Sequence, residues 1–248
     1  MITIINKRYN INSYLFLNTR KLRCLDALRI VTYNNYIGVN NFTHKFKAFF
    51  FFKRTSYTIN IDLTRDEEQI FKDFKSNTRN EIKKAAVAQC RFVDKISTER
   101  FVDFYNDFAS KKNLRKIDYN ACTKYGDNII ITGVEVNNEI LTMHAYFIDR
   151  QEKLVTLLYS ASKRLEDNCN SDLLKLIGYS NRYLHYQDMI YFKRNELNLY
   201  DFGGVYIGDK DKSQMGIANF KKSFGGDVVQ KVDYMSFLYR VVLKYFHK

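Results

Sequence analysis

Apolar residues along this chain recur with two different periods. Between Tyr57 and Leu63 they alternate with Thr58, Asn60 and Asp62, which predicts a strand with one buried face. At Thr64 the period changes. Phe71, Phe74, Thr78, Ile82 and Ala85 fall three or four apart, the stripe of an amphipathic helix. Thr64 supplies an N-cap hydroxyl, Asp66, Glu67 and Glu68 acidify the first turn, and the pattern carries the helix to about Gln89. A strand over Arg91 to Asp94 follows, then a second helix capped by Ser97 and buried through Phe101, Phe104 and Phe108. Asn128 to Val136 and Ile140 to Asp149 read as strands joined at Asn137-Asn138, a pair suited to a two-residue hairpin turn. Lys153 to Ser162 contains the nearly continuous apolar run Leu154, Val155, Leu157, Leu158, as in a strand covered on both faces.

A long helix starts at Asn170-Ser171-Asp172 and runs to about Arg194, with Leu173, Ile177 and Leu184 inward and Asn195 as its left-handed end. A strand from Leu197 to Phe202, a helix bearing Phe220, Lys221 and Phe224, and two strands (Asp227 to Val232, Tyr234 to Val242) finish the chain. Residues 1 to 63 alternate short apolar runs with polar breaks: Ile2 to Ile5, Tyr14 to Leu17, Leu25 to Tyr33, Phe46 to Phe52 and Tyr57 to Leu63. The expected fold is α/β of the α+β kind: a mixed, mostly antiparallel central sheet flanked by helices, with a β-rich N-terminal extension. The division expected is an N-terminal part over 1–60 and a main domain over 61–248.

Composition changes this picture in three places. The net charge is +13, and residues 1 to 60 hold ten Lys and Arg against the single acid Asp26. Such an arm suits an anionic partner: a nucleic acid such as tRNA, a phosphorylated carrier, or an acidic membrane surface met peripherally. The competing reading is codon bias, since abundant Asn, Lys, Ile and Tyr without Pro or Trp fits an AT-rich gene. The four cysteines, Cys24, Cys90, Cys122 and Cys169, have neither metal nor redox spacing and read as reduced thiols. No apolar run is long enough to span a bilayer and no leader is visible, so a cytoplasmic location is expected, with no metal and no permanently bound cofactor. Third, six of the ten glycines lie between Gly203 and Gly226. There a strand carrying Asp201 stops at Gly203-Gly204, and a helix carrying Lys221 stops at Gly225-Gly226.

Tyr200-Asp201-Phe202-Gly203-Gly204, followed by Phe220-Lys221-Lys222-Ser223-Phe224-Gly225-Gly226, resembles the C-terminal signature of FemABX-type peptidoglycan aminoacyltransferases and their GNAT-fold relatives. Upstream, Ser76-Asn77-Thr78-Arg79-Asn80-Glu81-Ile82-Lys83-Lys84-Ala85 is similar to the family's Thr-Arg-x-x-Ile-x-x-Ala helix. The resemblance covers Ile61 to Tyr234. It implies a GNAT-like fold and a bacterial acyltransferase of cell-envelope or polysaccharide biosynthesis. The acceptor would be an amine on a nucleotide- or lipid-linked precursor, and the co-substrate acyl-CoA or aminoacyl-tRNA. Chain length favours acyl-CoA. The loop from Ser162 to Asn170 argues against it, because it lacks the glycine turn whose amides cradle the CoA pyrophosphate. A nucleic-acid-binding module is the reading from another class.

Transfer to an amine requires loss of a proton, an aligned carbonyl and stabilisation of the oxyanion. Lys221 matches the family's lysine and suits the last task; otherwise it is a surface lysine beside two core phenylalanines. Asp201 shares a face with apolar neighbours. It is either a base with a raised pKa or the cap of the glycine turn. His144, either a base or a satisfied core or edge residue, and Tyr159, a proton donor or acceptor contact near the end of its strand, are the remaining candidates. Arg79, Lys83, Tyr200, Gly203 and Gly204 are carried over as substrate-binding positions, and Lys163, Arg164, Asn170 and Ser171 as donor-binding ones. A cleft is expected between the strands of Tyr159 and Asp201.

Overall fold

A computed structural model describes residues 2–6, 11–15, 31–37, 51–166, 170–238 and 240–241. Ten strands lie among the described residues: β1 (Ile2–Asn6), β2 (Ile11–Leu15), β3 (Val31–Ile37), β4 (Phe51–Asp62), β5 (Arg91–Val93), β6 (Ile129–Val136), β7 (Glu139–Asp149), β8 (Leu154–Ser162), β9 (Leu199–Gly204) and β10 (Asp227–Ser236). They form one sheet in the order β1-β2-β3-β10-β4-β9-β8-β7-β6-β5. Pairing is antiparallel except between β2 and β3 and between β8 and β9. The helices that accompany it among the described residues include α1 (Glu67–Asp73), α2 (Ser76–Val87), α3 (Thr98–Lys111), the single turn α4 (Asn120–Thr123), α5 (Ser171–Arg194) and α6 (Lys212–Lys222), and residues 237–238 and 240–241 are also helical. A residue boundary at 60 falls inside β4, and strands from both sides of it share the sheet.

The alternation of side chains along the strands assigns a face to each helix. Ile59, Ile61, Tyr146, Ile148, Val155, Tyr200 and Phe202 pack with Ile70, Phe74, Ile82, Met189, Phe192, Ala218 and Phe224 from α1, α2, α5, α6 and the turn after α6. On β7 the opposite parity, Met143 and Ala145, packs with Phe101 of α3 and Cys122 of α4. The parallel β8–β9 pair needs a crossover, and α5 supplies it across the first face.

Several expected details hold. Asn137 and Asn138 both take positive φ (51° and 65°), as a hairpin of that length requires. Ser97 accepts from the Arg100 amide, and the Asn170 side chain accepts from the Leu173 amide at 2.8 Å.

Four details are corrected. The helix expected over 65–89 is broken at Phe74-Lys75, where both residues are extended, so α1 and α2 are separate. Phe74 stays buried, and Arg79 donates to the Lys72 and Phe74 carbonyls that the break sets free. Thr64 does not cap α1; Asp66 takes that position, and Thr64 bonds back to Asp62. The left-handed residue after α5 is Glu196 (φ 61°), not Asn195. The two strands expected at the C-terminus are one, β10, whose pairing with β3 shifts between Val232 and Tyr234. The sequence segments Leu25 to Ile30, Phe46 to Phe50, Cys24 and Cys169 lie outside the described residues; Cys90 and Cys122 are buried free thiols.

Candidate active site at the opening of the sheet

β8 and β9 are paired only at Leu154↔Leu199, Val155↔Tyr200 and Thr156↔Asp201, although β8 continues to Ser162 and β9 to Gly204. The sheet therefore opens beyond Asp201, where the cleft was expected. Two irregularities end the ladder. In β8, Leu158 is an extra residue between the pairs Ala145↔Tyr159 and Tyr146↔Leu157. Leu158 and Tyr159 consequently both pack on the α3–α4 face, and the bulge bends the strand. In β9, Phe202 and Gly203 stand opposite the single residue Ile59 of β4. Gly203 takes φ +71°, and a Cβ there would lie 2.8 Å from the Leu157 carbonyl oxygen, so only glycine fits against β8 at that point.

The last closed rung is held by Asp201, which is fully buried. Its Oδ1 accepts from the Gly203 amide at 2.8 Å and from the Thr58 hydroxyl. Its Oδ2 accepts from Thr156 Oγ1 at 3.2 Å and from Lys231 Nζ, which reaches across from β10. One carboxylate thus joins β4, β8, β9 and β10. Both Asp201 and Lys231 are buried, so the charges compensate each other out of water. The carboxylate also caps the glycine turn, the second of the two roles open from the sequence.

Lys221 sits at the lip of the opening. The helix α6 begins at Asp211, which caps Gln214, and ends against Gly225-Gly226, so its last turn lies over β9. Lys221 Nζ donates to the Phe202 carbonyl at 2.8 Å and to the Gly204 carbonyl at 2.7 Å. An ammonium carries three N–H groups, and one remains. Burial pulls its pKa down to about 8, partly offset by Asp201 and deepened by Lys231.

His144 belongs to a second, enclosed network. Its Nδ1 lies 2.8 Å from Asp188 Oδ2 and 3.0 Å from the Tyr146 hydroxyl, and its Nε2 lies 3.0 Å from Asn181 Oδ1. The Tyr146 hydroxyl donates to Asp188 at 2.6 Å and meets the Tyr200 hydroxyl at 2.7 Å, which in turn lies 2.8 Å from His185 Nδ1. Burial, with the Asp188 charge beside them, pushes both tyrosines well above their ordinary pKa. Burial, then His144, Lys221 and Arg182, pushes His185 well below its own, so its ring is neutral. His144, His185 and Asp188 offer donor atoms within 4.8 Å of one another and are the set among the described residues that could hold a metal ion. His185 and Asp188, one turn apart on α5, have no sequence motif around them, and only the fold brings them to His144.

The other sequence-derived positions divide as follows. Tyr200 is buried within that network and presents no atom to solvent. Tyr159 is half-buried on the α3–α4 face against Tyr105, with ring centroids 5.2 Å apart. It lies across the sheet from the α5 network. Gly203 and Gly204 line the opening. Lys83 is exposed on α2, and Arg79 is engaged by the carbonyls at the α1–α2 break. Lys163 pairs with Glu139 and Glu166, Arg164 is exposed, Asn170 caps α5, and Ser171 is the first residue of that helix.

Two outcomes follow from these charges. Lys231→Met leaves Asp201 buried without its cation, and urea unfolding should show a loss of about 3–5 kcal/mol. The double variant Asp201→Asn/Lys231→Met should recover part of it; full additivity would mean that the pair does not interact. For Lys221, the folded pKa of about 8 lies below the unfolded value of 10.5. Between those pH values the unfolded chain binds more protons, so stability contributed by this site rises with pH. The stability of the wild type relative to Lys221→Met should therefore rise, by ~3 kcal/mol at most, as pH rises from 8 to 10.5. A gap constant over that range would show that the lysine is not buried at a cost.

No protein-family model matches the chain, and no curated protein matches it in sequence. Solved structures share its fold. FemX superposes with a TM-score of 0.70 at 12% identity, covering 98% of this chain and 84% of that one. A conserved protein of unknown function from Bacteroides thetaiotaomicron VPI-5482 gives 0.59 at 10% identity, over 91% and 79%. L-PGS from Bacillus licheniformis gives 0.55 at 10% identity, over 87% and 71%. The chain has the fold of FemX, in line with the mixed, mostly antiparallel sheet flanked by helices expected from its sequence.

Proposed function

We propose that the protein is an N-acyltransferase of the aminoacyl-transferring kind, with the opening between β8 and β9 as its transfer cleft. The observation that carries this reading is Lys221: a cation fixed by the Phe202 and Gly204 carbonyls, at the lip of the cleft, with one N–H uncommitted. The acceptor amine attacks the ester carbonyl of the donor and a C–N bond forms. The carbonyl oxygen gains negative charge, which the free Lys221 N–H stabilises. The C–O bond then breaks, and the leaving hydroxyl takes up the proton that the amine has lost. A donor fixed in a low-dielectric cleft lets one such cation contribute on the order of 3 kcal/mol to the barrier.

Two features favour an aminoacyl ester over a CoA thioester, reversing the preference drawn from chain length. The turn after β8 is a 3-10 segment, Lys163–Leu165, whose residues include no glycine. Its Lys163 is already paired with Glu139 and Glu166, acids that would repel a pyrophosphate. The name of L-PGS and that of a lysylphosphatidylglycerol synthetase domain from Agrobacterium fabrum, TM-score 0.54, point the same way. The acceptor is an amine on a nucleotide- or lipid-linked envelope precursor, met in the cytoplasm. The basic residues among the first 60 suit tRNA as the carrier of the donor.

With the donor and acceptor saturating, Lys221→Met should lower kcat by roughly a hundredfold and leave KM little changed, the pattern of an interaction made only in the transition state. As a cation, Lys221 loses its effect when it deprotonates, so kcat of the wild type should fall above about pH 8. A rate that instead rises through that pH would assign it to proton abstraction. An unchanged kcat in the variant would remove the lysine from the reaction altogether.

A further inference from the structure

On the α5 side of the sheet, a recess of about 300 Å³ lies between the start of α2, the middle of α5 and the last turns of α6. Lys75, Asn77, Thr78, Arg182, Gly216 and Asn219 are among the residues that form its walls. The wall carries basic and amide groups and no carboxylate. Glu81 is bound to Arg182 at 2.9 Å and accepts from the Asn77 side chain at 2.9 Å, so it offsets the charge of Arg182.

Two donors at this recess have no hydrogen-bond partner among the described residues. Thr78 is only 1% exposed, its side chain faces the recess, and its hydroxyl makes no hydrogen bond among the described residues. Arg182 lies over the Phe220 ring, its guanidinium carbon 5.0 Å from the centroid, and its Nε is buried and has no partner among the described residues. Buried donors left unmatched are costly, which points to an acceptor that the protein itself does not provide. The start of α2 adds to them. No side chain caps it and no acid occupies its first turn; the first backbone bond within the helix is made by Arg79 to the Lys75 carbonyl, at 3.0 Å. The amides of Ser76, Asn77 and Thr78 precede that bond and point toward the helix N-terminus. The Lys75 amide is bound to the Ser223 carbonyl at 2.9 Å, so α2 is pinned to the end of α6 and the wall is rigid. Gly216 leaves one side clear, because a Cβ there meets nothing within 4 Å. Glycine in the interior of a helix is otherwise unfavourable.

We propose that this recess binds a phosphoryl group. Arg182, the Thr78 hydroxyl, the first amides of α2 and Lys75 border one space. They present more donors than a carboxylate can use, whereas a phosphoryl group offers three or four acceptor oxygens. The assignment does not depend on which acyl group is transferred, or on whether any is.

Calorimetric titration of the full chain at fixed ionic strength with inorganic phosphate, 5′-AMP and acetate tests it. Saturable 1:1 binding of phosphate is expected, with acetate weaker by about tenfold or more. Tighter binding of 5′-AMP than of phosphate would identify the source as a nucleotide; equal binding would show that the phosphoryl group alone is read. Thr78→Val removes the hydroxyl without changing shape and should weaken phosphate binding by about tenfold. Gly216→Leu, which favours the helix and fills the space, should weaken it at least as much. Lys116→Met removes the same charge as a Lys75 variant from the loop after α3 and should change nothing. The proposal is overturned if acetate binds as well as phosphate, if Lys116→Met weakens binding as much as Thr78→Val, or if Gly216→Leu leaves binding intact.

Discussion

A single carboxylate decides where this sheet is closed and where it opens. Asp201 is fully buried, and a lone charge there would be expensive in a medium that screens poorly. It persists because Lys231, Thr58, Thr156 and the Gly203 amide all donate to it. Those four donors come from four strands, so the requirement to satisfy the charge fixes β4, β8, β9 and β10 relative to each other. Beyond that rung the bulge at Leu158 and the turn at Gly203 leave no register in which β8 and β9 could continue pairing. The freed carbonyls of Phe202 and Gly204 then need donors, and Lys221 provides them. Clamp, opening and cation form one chain of cause.

The network under α5 is of another kind. His144, Asp188, Tyr146, Tyr200 and His185 contribute polar atoms to a core otherwise built of aliphatic and aromatic side chains. Each contact has directional demands, so α5 can sit on the sheet in only one register and rotation. His185 also lies against Phe202, Phe220 and Phe224, with centroids at 4.9, 5.5 and 5.2 Å. That stack supports the helix turn carrying Lys221. Misplacing the network would therefore move the cation as well.

How much of this could be read from the sequence depends on range. Local patterns gave most of the elements: the Asn137-Asn138 turn, the Ser97 and Asn170 caps and the apolar run of β8 all report interactions within a few residues. The break between α1 and α2 was hidden because Phe71, Phe74 and Thr78 keep helical spacing across it. Tertiary packing of Phe74 against Tyr186 and Phe224 overrides that pattern. Asp201 was visible as a charge among apolar neighbours, but Lys231, thirty positions away, carried no mark of being its partner. Tyr200 was placed at the substrate on motif grounds, whereas its parity in β9 turns it toward α5 and away from the cleft. Thr78 belongs to a helix stripe in the sequence, and that its hydroxyl has no partner among the described residues is apparent only when α5 and α6 close around it.

The central claim is that the opening beyond Asp201, with Lys221 at its lip, receives the activated acyl group. Amide hydrogen exchange measured with a non-hydrolysable 3′-aminoacylamido-adenosine, and separately with an acyl-CoA thioether, tests it most directly. The account predicts that the adenosine analogue slows exchange at the amides of Leu158 to Ser162 and Phe202 to Gly204, and that the thioether does so less. Protection confined to other strands, or none at these two segments with either compound, would contradict it.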